Sequence, residues 1–181
     1  NEFNTYLNDL DYSFIKDLCE RKGKVHTYRK GDFFIRQHEK SVLRMGRRWT
    51  FQYTHIDEEG EEHIVGYSFT NEYVCDYSSF MKGSLSLVSI QAITDCSVYE
   101  ISHHDMIEYW ETNMETQRFG RCVAENLYEM VYERLIDSYC SPEIRYKRLM
   151  ERCPNLKEAV PLKKHCFIFG GLLLKLSVIY S

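Results

Sequence analysis

The spacing of apolar residues changes twice along the chain, from helical to alternating and back to helical. Four apolar residues near the start recur at three- and four-residue intervals: Leu7, Leu10, Phe14 and Leu18. Gly23 follows them as a natural helix stop, because glycine readily adopts the left-handed conformation that ends a helix. The pattern predicts one amphipathic helix over residues 4–22.

From residue 24 to 101 the chain consists of short segments in which apolar and polar residues alternate. Trp49, Phe51 and Tyr53 alternate with polar neighbours over residues 48–54, which is the pattern of a half-buried strand. We therefore expect one face of this strand in the core and the other in water.

An acidic turn containing a glycine follows that strand. Residues 57–62 read Asp-Glu-Glu-Gly-Glu-Glu, and Gly60 can take the positive φ that a tight turn needs. Val65, Tyr67 and Phe69 then alternate on the far side of the turn. The two segments are predicted to pair as a long hairpin.

Two further strands complete this region. Val88, Ile90 and Ala92 alternate, and residues 96–101 form one more short apolar segment. The turns recur at intervals of about 8 to 12 residues, which is typical of an antiparallel sandwich, roll or barrel.

After residue 102 the helical period returns and predicts helices over 103–112, about 115–138, and 142–152. The middle helix carries an apolar stripe, whose members we expect at a dimer interface: Phe119, Val123, Leu127, Met130, Val131 and Leu135. A helix this long has more apolar surface than one sheet face can cover, which favours pairing with a second copy. Packing on its own domain is the alternative. Pro142 suits the first position of the last helix.

Composition places the chain among globular proteins. Hydrophobic residues make up 44% and charged residues 28% of its 181 residues. No apolar run reaches the roughly 18 residues of a membrane span, and the start does not resemble a signal peptide, so we expect a cytoplasmic protein without membrane contact. The seven cysteines are scattered and include no CxxC pair, which favours reduced, structural thiols.

The net charge of −4 conceals an asymmetry. Residues 1–142 carry 15 Lys+Arg against 24 Asp+Glu, whereas residues 143–181 carry 8 against 3. The two parts therefore have charges of −9 and +5. An acidic sensor joined to an end that faces nucleic acid would show this change of sign.

The order of helix, β-roll, long helix and short basic helix resembles the Crp/Fnr family of bacterial transcription regulators, whose type member is the cyclic-AMP receptor. The segments that carry the resemblance are Lys30-Gly31-Asp32-Phe33, like the family's G-D-x-F turn; Arg36-Gln37-His38-Glu39, like its R/Q-G-E-x segment; Gly46; residues 95–102; and residues 141–146. They span roughly residues 15–163.

The resemblance implies an α+β fold. We expect an N-terminal helix and a double-stranded β-helix, or jelly roll, that senses an effector in residues 1–112. A dimerisation helix in residues 113–139 and the remnant of a helix-turn-helix DNA-binding domain in residues 140–181 would follow.

The resemblance also implies a place for a ligand, between the roll and the long helix. The family's acidic F-G-E stretch matches residues 74–77, and its P-R-x-A stretch, which supplies an arginine for the cyclic phosphate, matches residues 85–88. Ser86 stands at the arginine position, so we expect cyclic AMP binding to be absent or weak. The candidate contacts for another small effector are Cys75, Asp76, Ser78, Ser79, Ser86, Leu87, Leu127 and Val131. A filled pocket without any ligand is the alternative, and no cofactor is expected.

The DNA-reading end departs from the family pattern. Residues 160–163 resemble the start of a helix-turn-helix, but an apolar tail follows Lys164 in place of the family's K-x-I-A-S-F-L-G continuation. If suitable codons encode the lysine run, removing one base restores K-N-I-A-S-F-L-G, and a one-base insertion is our hypothesis. As written, this tail cannot place a recognition helix in the major groove, so we expect DNA binding to be lost.

Two other kinds of protein share a roll of short strands. A metal-binding barrel of the cupin kind needs converging histidines, whereas this chain offers the adjacent pair His103 and His104, with His55 and His63 beside the hairpin turn. A protein-interaction module without a small ligand is the second rival. No nucleotide-binding or nucleophile motif is present, so we expect neither an enzyme nor a metal site.

Overall fold

The structure of the protein is a computed structural model that describes residues 13–46, 50–69, 72–152 and 154. The elements in chain order are α1 (Ser13–Lys22), β1 (Lys24–Tyr28), β2 (Phe33–Ile35), β3 (Leu43–Gly46), β4 (Thr50–Ile56), β5 (Glu62–Phe69), β6 (Tyr73–Val74), α2 (Tyr77–Lys82), β7 (Ser89–Ala92), β8 (Cys96–Ile101), α3 (His103–Trp110), α4 (Met114–Ser138) and α5 (Pro142–Arg152). The chain divides into two compact units between Cys122 and Val123. We call the first the roll unit and the second the helical unit.

The strands of the roll unit form two four-stranded antiparallel sheets. Their orders are β1-β8-β3-β6 and β2-β7-β4-β5, so each sheet joins strands that are far apart in the chain. Such crossing connections define a jelly roll. The predicted α+β jelly-roll fold is confirmed.

Two apolar clusters hold the roll unit together. The first cluster contains Phe34, Ile35, Phe51, Val74, Ile90, Ala92, Cys96 and Val98. The second cluster includes residues of helices α1, α2 and α3, and contains Leu18, Cys19, Leu43, Met45, Phe80, Ile101 and Met106. In β8, Cys96 and Val98 belong to the first cluster, whereas Ile101 belongs to the second and Tyr99 packs against it, because successive side chains of a strand point to opposite faces.

The predicted hairpin is confirmed as the pairing of β4 with β5, and Gly60 has a φ of +85° in its turn. The prediction that β4 is half buried is wrong. Thr54 and Gln52 are buried as fully as Phe51, which lies on the opposite face of the strand. Both faces of β4 are therefore covered. Val65 is 45% exposed, so the predicted inward alternation on β5 fails at that residue.

Two short turns beside the sheets are formed by segments that carry the family resemblance. Between β1 and β2, Gly31 has a φ of +98° and Asp32 accepts a hydrogen bond from the Arg29 backbone N–H. Between β2 and β3, His38 has a φ of +71° and is the non-glycine residue with positive φ in the described part of the chain. A side chain is strained in this conformation, which glycine adopts freely.

Helices α1, α3, α4 and α5 agree with the predicted ones apart from their ends, whereas α2 was not predicted, because its 6 residues are too few to show a helical period. Residues 4–12 of the first predicted helix, with Leu7 and Leu10, lie outside the described residues, as does Trp49 of the predicted strand. α3 ends two residues earlier than predicted, at Trp110. The Trp110 ring packs so closely on Gly120 of α4 that a Cβ there would lie 3.1 Å from it. No helix within these described residues is long and apolar enough to cross a membrane.

Candidate functional site

The segment from Cys75 to Ser89, here called the α2 loop, contains six of the eight predicted ligand residues. Asp76 caps the N-terminus of α2, because its extended backbone and short carboxylate let it accept a bond from the Ser79 N–H. Gly83 ends the helix with a φ of +64°, and its N–H donates to the Phe80 carbonyl. The loop then returns past Asp76 before β7 begins.

The Asp76 carboxylate is the centre of the α2 loop. Its Oδ2 atom lies 2.7 Å from the Ser79 hydroxyl, 3.0 Å from the Ser86 hydroxyl and 3.0 Å from the Leu87 backbone nitrogen. Its Oδ1 atom accepts the Ser79 N–H at 3.3 Å. Four neutral donor groups from both ends of the loop therefore converge on one carboxylate.

The two serines of this cluster are buried, Ser86 completely and Ser79 to 3% exposure. Each hydroxyl also faces a carbonyl oxygen, that of Leu85 at 3.0 Å from Ser79 and that of Val88 at 2.8 Å from Ser86. The Ser86 oxygen in turn accepts the Val88 N–H. The polar groups of the loop thus bond to one another.

The charge of Asp76 is stabilised by these bonds. Partial burial acts to raise the pKa of the carboxyl, but the hydrogen bonds donated by Ser79, Leu87 and Ser86 outweigh it and hold the pKa below its ordinary value. Asp76 is therefore ionised at neutral pH. Every group bonded to it is uncharged, so the site keeps a negative charge.

The turn between β2 and β3 fixes the loop from one side. The His38 N–H donates to the Ser86 carbonyl at 2.8 Å, and the Ser86 N–H donates to the Glu39 carbonyl at 2.7 Å. Gln37 adds a bond from its N–H to the Ser89 hydroxyl at 2.9 Å. The strained conformation of His38 thus lies where the turn bonds the loop.

The β4–β5 hairpin fixes the loop from another side. The Nδ1 atom of His55 lies 2.7 Å from the Leu87 carbonyl oxygen. The Gln37 side chain bonds both backbone groups of Ile56, at 3.1 Å and 2.8 Å. Leu87 and Ile56 nevertheless expose 64% and 46% of their surface, so this polar framework has an apolar rim.

The structure brings together four of the predicted ligand residues: Asp76, Ser79, Ser86 and Leu87. Ser78 is exposed, and Cys75 is half-buried with a pKa that burial raises. Leu127 and Val131 belong to the helical unit, where Leu127 is half-buried and Val131 is 60% exposed. Sequence reasoning missed Gln37 and His55, whose contacts depend on chain pairing that no local pattern reveals.

Arg44 is a buried cation of the roll unit, and its guanidinium pairs with Glu100. Arg44 is 6% exposed, donates to Glu100 through Nε at 2.9 Å, and also pairs with that carboxylate through Nη2. Its guanidinium lies over the rings of Phe34 and Tyr28, with its central carbon 4.2 Å and 5.0 Å from their centres. The pair is a structural ion pair with cation–π contacts.

The candidate histidines His55, His63 and His103 contact separate partners. His55 and His63 are register partners in the hairpin, but His63 Nε2 lies 2.5 Å from the Asp57 carboxylate while His55 bonds the Leu87 carbonyl. The His103 ring packs edge-on against Phe80. In the part of the chain that the structure describes, no group of three or more His, Cys, Asp or Glu side chains could hold a metal ion.

The cysteines of the described segments are free thiols. Cys19 and Cys96 are buried in the two apolar clusters. Burial raises the pKa of Cys19 to about 12 and that of Cys96 to about 11. Both are therefore protonated at neutral pH and are poor nucleophiles.

The second half of α4 carries an exposed apolar face. Tyr128, Tyr132 and Leu135 recur at i, i+4 and i+7, and they are 71%, 51% and 54% exposed. The two tyrosine rings stack with centres 6.1 Å apart. Val131 flanks this face at 60% exposure. We call these four residues the α4 stripe.

The predicted dimer residues therefore divide between two faces of α4. Phe119 packs against the second cluster of the roll unit, and Val123 is 6% exposed. Leu127 and Met130 are half-buried, whereas Val131 and Leu135 are largely exposed. The predicted set omitted Tyr128 and Tyr132. Counting back from Leu135 at intervals of three and four residues would have included both tyrosines.

A buried carboxylate lies where α4 meets α5. Asp137 is 6% exposed and bonds both Arg148 and Arg152, the latter at 2.5 Å. Burial acts to raise the pKa of Asp137, but the two arginines outweigh it and hold the pKa below its ordinary value. The arginines stand one turn apart on α5, so a single anion holds this helix at two points.

Comparison with known proteins agrees with this architecture. No protein-family model matches the sequence, and no curated protein matches it either. Solved structures of bacterial transcription regulators do match in three dimensions, so the chain shares their fold, which is the fold that the resemblance implied.

Three of these structures illustrate the likeness. The c-di-GMP responsive global regulator CLP of Xanthomonas campestris is 15% identical, with a TM-score of 0.60 over 83% of this chain and 74% of that one. The sensor domain of the transcriptional regulator DNR from Pseudomonas aeruginosa is 14% identical, with a TM-score of 0.55 over 72% of this chain and 85% of that one. The catabolite activator protein of Thermus thermophilus is 15% identical, with a TM-score of 0.53 over 74% of this chain. This chain spans 59% of the Thermus protein.

Proposed function

We propose that this chain is the sensing and dimerising part of a Crp/Fnr-type transcriptional regulator. The roll unit would receive a signal at the α2 loop, and α4 would join two copies. The shared fold supports this proposal, since the similar structures are regulators and one of them is a sensor domain. An enzymatic role has no comparable support from the similar structures, and in the described residues no group of three or more His, Cys, Asp or Glu side chains could hold a metal ion.

The α4 stripe carries the dimer proposal. An exposed face of two tyrosines, a leucine and a valine on one helix is too apolar for a surface that remains in water. Spacing of four and three residues is the geometry by which two helices interdigitate. A second copy of the same helix presents the same face, so a two-fold pair would cover both.

Light scattering during size-exclusion chromatography tests this proposal. The wild-type chain should have about twice its 21.7 kDa mass, and Leu135→Glu should reduce that mass to one chain by placing a charge in the seam. Glu129→Arg, an exposed charge change outside the stripe, is the matched control and should leave the mass unchanged. A wild-type chain that elutes as one copy at every concentration would exclude dimerisation through α4.

The effector is proposed to be a small molecule other than a cyclic nucleotide. The loop offers no arginine for a phosphate, and its buried hydroxyls already bond within the loop. The eight predicted residues remain our candidate contacts, with the apolar rim at Leu87 and Ile56 beside them. A thermal-shift screen against neutral and apolar metabolites tests this, because a ligand of the folded state raises the midpoint. A complete lack of response would favour a protein-interaction module.

Sequence-specific DNA binding is proposed to be absent from this chain. The proposal depends on the sequence after Lys163, which lies outside the described residues. Gel-shift assays against random-sequence DNA test it. A shift that persists in excess nonspecific competitor would refute it, and sequencing the lysine-encoding stretch of genomic DNA would test the one-base insertion hypothesis.

A further inference from the structure

We propose that Asp76 is an internal ligand of the α2 loop, whose carboxylate holds the loop closed in place of an external anion. What this inference implies for signalling rests on the proposed function, in which the α2 loop is the effector site. Its physical basis, the convergence of four donors on one side-chain anion, stands independently of that role.

The donors come from two parts of the chain that the carboxylate ties together. Ser79 lies on α2, whereas Ser86 and Leu87 lie beyond the end of that helix. A helix cap alone would require the Ser79 N–H. The bonds from Ser86 and Leu87 bridge 10 and 11 residues along the chain, so they close the loop rather than cap the helix.

The exposure of Ser86 and Leu87 and their hydrogen bonds indicate that the Asp76 carboxylate occupies the place of an external anion. Leu87 is 64% exposed, yet its N–H bonds the Asp76 oxygen rather than water. Ser86 is fully buried although its hydroxyl is polar. The Ser86 N–H is also taken, by the Glu39 carbonyl, and the Val88 N–H by the Ser86 hydroxyl. The loop therefore offers these donors to its own carboxylate and carbonyls, and not to an incoming anion.

Removing the carboxylate should create the receptor that it now fills. Asp76→Ala leaves the Leu87 N–H, the Ser79 N–H and two hydroxyls facing a space of about the size of the missing group. Formate has the same charge and the same two oxygens as the lost carboxylate, so it should enter that space and restore the bonds. An apolar or cationic solute should not.

The experiment compares thermal midpoints of the wild-type, Asp76→Ala and Asp76→Asn chains in sodium formate and in sodium chloride of equal ionic strength. We expect Asp76→Ala to melt several degrees below wild type, and formate to restore at least half of that difference in a saturable way. Wild type and Asp76→Asn should show equal midpoints in the two salts, because their side chains already fill the space. An equal response to formate in all three chains, or none in Asp76→Ala, would overturn the inference.

A measurement on the unaltered chain decides the matter if Asp76→Ala does not fold in either salt. Amide hydrogen exchange should find the Leu87 N–H protected at least tenfold relative to an unstructured peptide, despite its exposed side chain, and less protected in Asp76→Asn, whose neutral amide oxygen is a weaker acceptor than a carboxylate. Exchange of Leu87 at the unstructured rate in wild type would contradict the closed loop. Neither result depends on dimerisation, so a monomeric chain would refute the proposed function without affecting this inference.

Discussion

Two carboxylates, the half-buried Asp76 of the roll unit and the buried Asp137 of the helical unit, are stabilised in opposite ways. Asp76 in the roll unit is bonded by neutral hydroxyl and backbone N–H groups. Asp137 in the helical unit is bonded by two arginines. Burial acts to raise the pKa of both carboxyls, and in each the hydrogen bonds hold it below its ordinary value.

The difference in bonding partners determines how each carboxylate site should respond to salt and to mutation. The groups bonded to Asp76 are uncharged, and the donors that converge on it are occupied. Two cations bond Asp137, so its charge is compensated by ion pairs. Because salt screens the attraction between two charged groups more strongly than a bond from a neutral donor to a carboxylate, added salt should weaken the Asp137 site more than the Asp76 site.

The largest effect is expected from Asp137→Asn. The substitution keeps the shape of the side chain but leaves two arginines, one of them mostly buried, without their anion. Breaking a buried ion pair costs about 3 kcal/mol of unfolding free energy. Chemical denaturation followed by circular dichroism measures it. A loss as small as that of an exposed ion pair would show that the corner is solvated.

Acid should weaken both sites together. Each carboxyl has a pKa below its ordinary value of 3.8 in the folded state, so the unfolded chain takes up protons first as the pH falls. The stabilisation is complete above that ordinary value and is lost as the pH falls through the folded pKa. Denaturation series between pH 5 and about 2 should therefore show a falling midpoint. The slope should be shallower in Asp76→Asn combined with Asp137→Asn, and an unchanged slope would exclude both carboxyls.

The two arginines should contribute unequally. Arg152 exposes 17% of its side chain and Arg148 exposes 46%, so water competes more strongly for Arg148. Arg152→Ala should cost about 1.5 kcal/mol of unfolding free energy, and Arg148→Ala clearly less. Added salt should reduce both losses. The reverse order would mean that exposure does not control the strength of this pair.

The smallest effects test the backbone around the α2 loop. Gly83→Ala should cost about 1 kcal/mol, because its positive φ strains a side chain although the space beside it is open. His38→Gly should be stabilising by about 0.5 kcal/mol, since glycine relieves the strain but is freer when unfolded. Thermal unfolding measures both. A destabilised His38→Gly would show that the imidazole makes a contact of its own.

Much of the fold followed from sequence periodicity. The boundaries of β8 and the approximate boundaries of α5 were predicted, since a clear apolar period marks the strand and a proline marks the start of the helix. The burial of both faces of β4 could not be predicted, because polar residues such as Gln52 resemble surface positions until the second face is covered. In general, periodicity reports the spacing of apolar residues and not what lies opposite them.

The candidate site was predicted less completely. Asp76 and Ser86 were singled out by their resemblance to a ligand-binding stretch, and the structure does bring them together. That they bond each other was not foreseen, because hydrogen bonds between residues ten apart depend on the path of the loop. The same limit hid the contact of His55 with Leu87.

Isothermal titration of the purified chain with cyclic AMP tests the central claim most directly, because a carboxylate and its donors cannot bond each other and a phosphate at the same time. The account predicts no saturable heat at millimolar nucleotide, with the fold intact by circular dichroism. A dissociation constant in the low micromolar range would contradict it, since the α2 loop would then accept an anion with Asp76 in place.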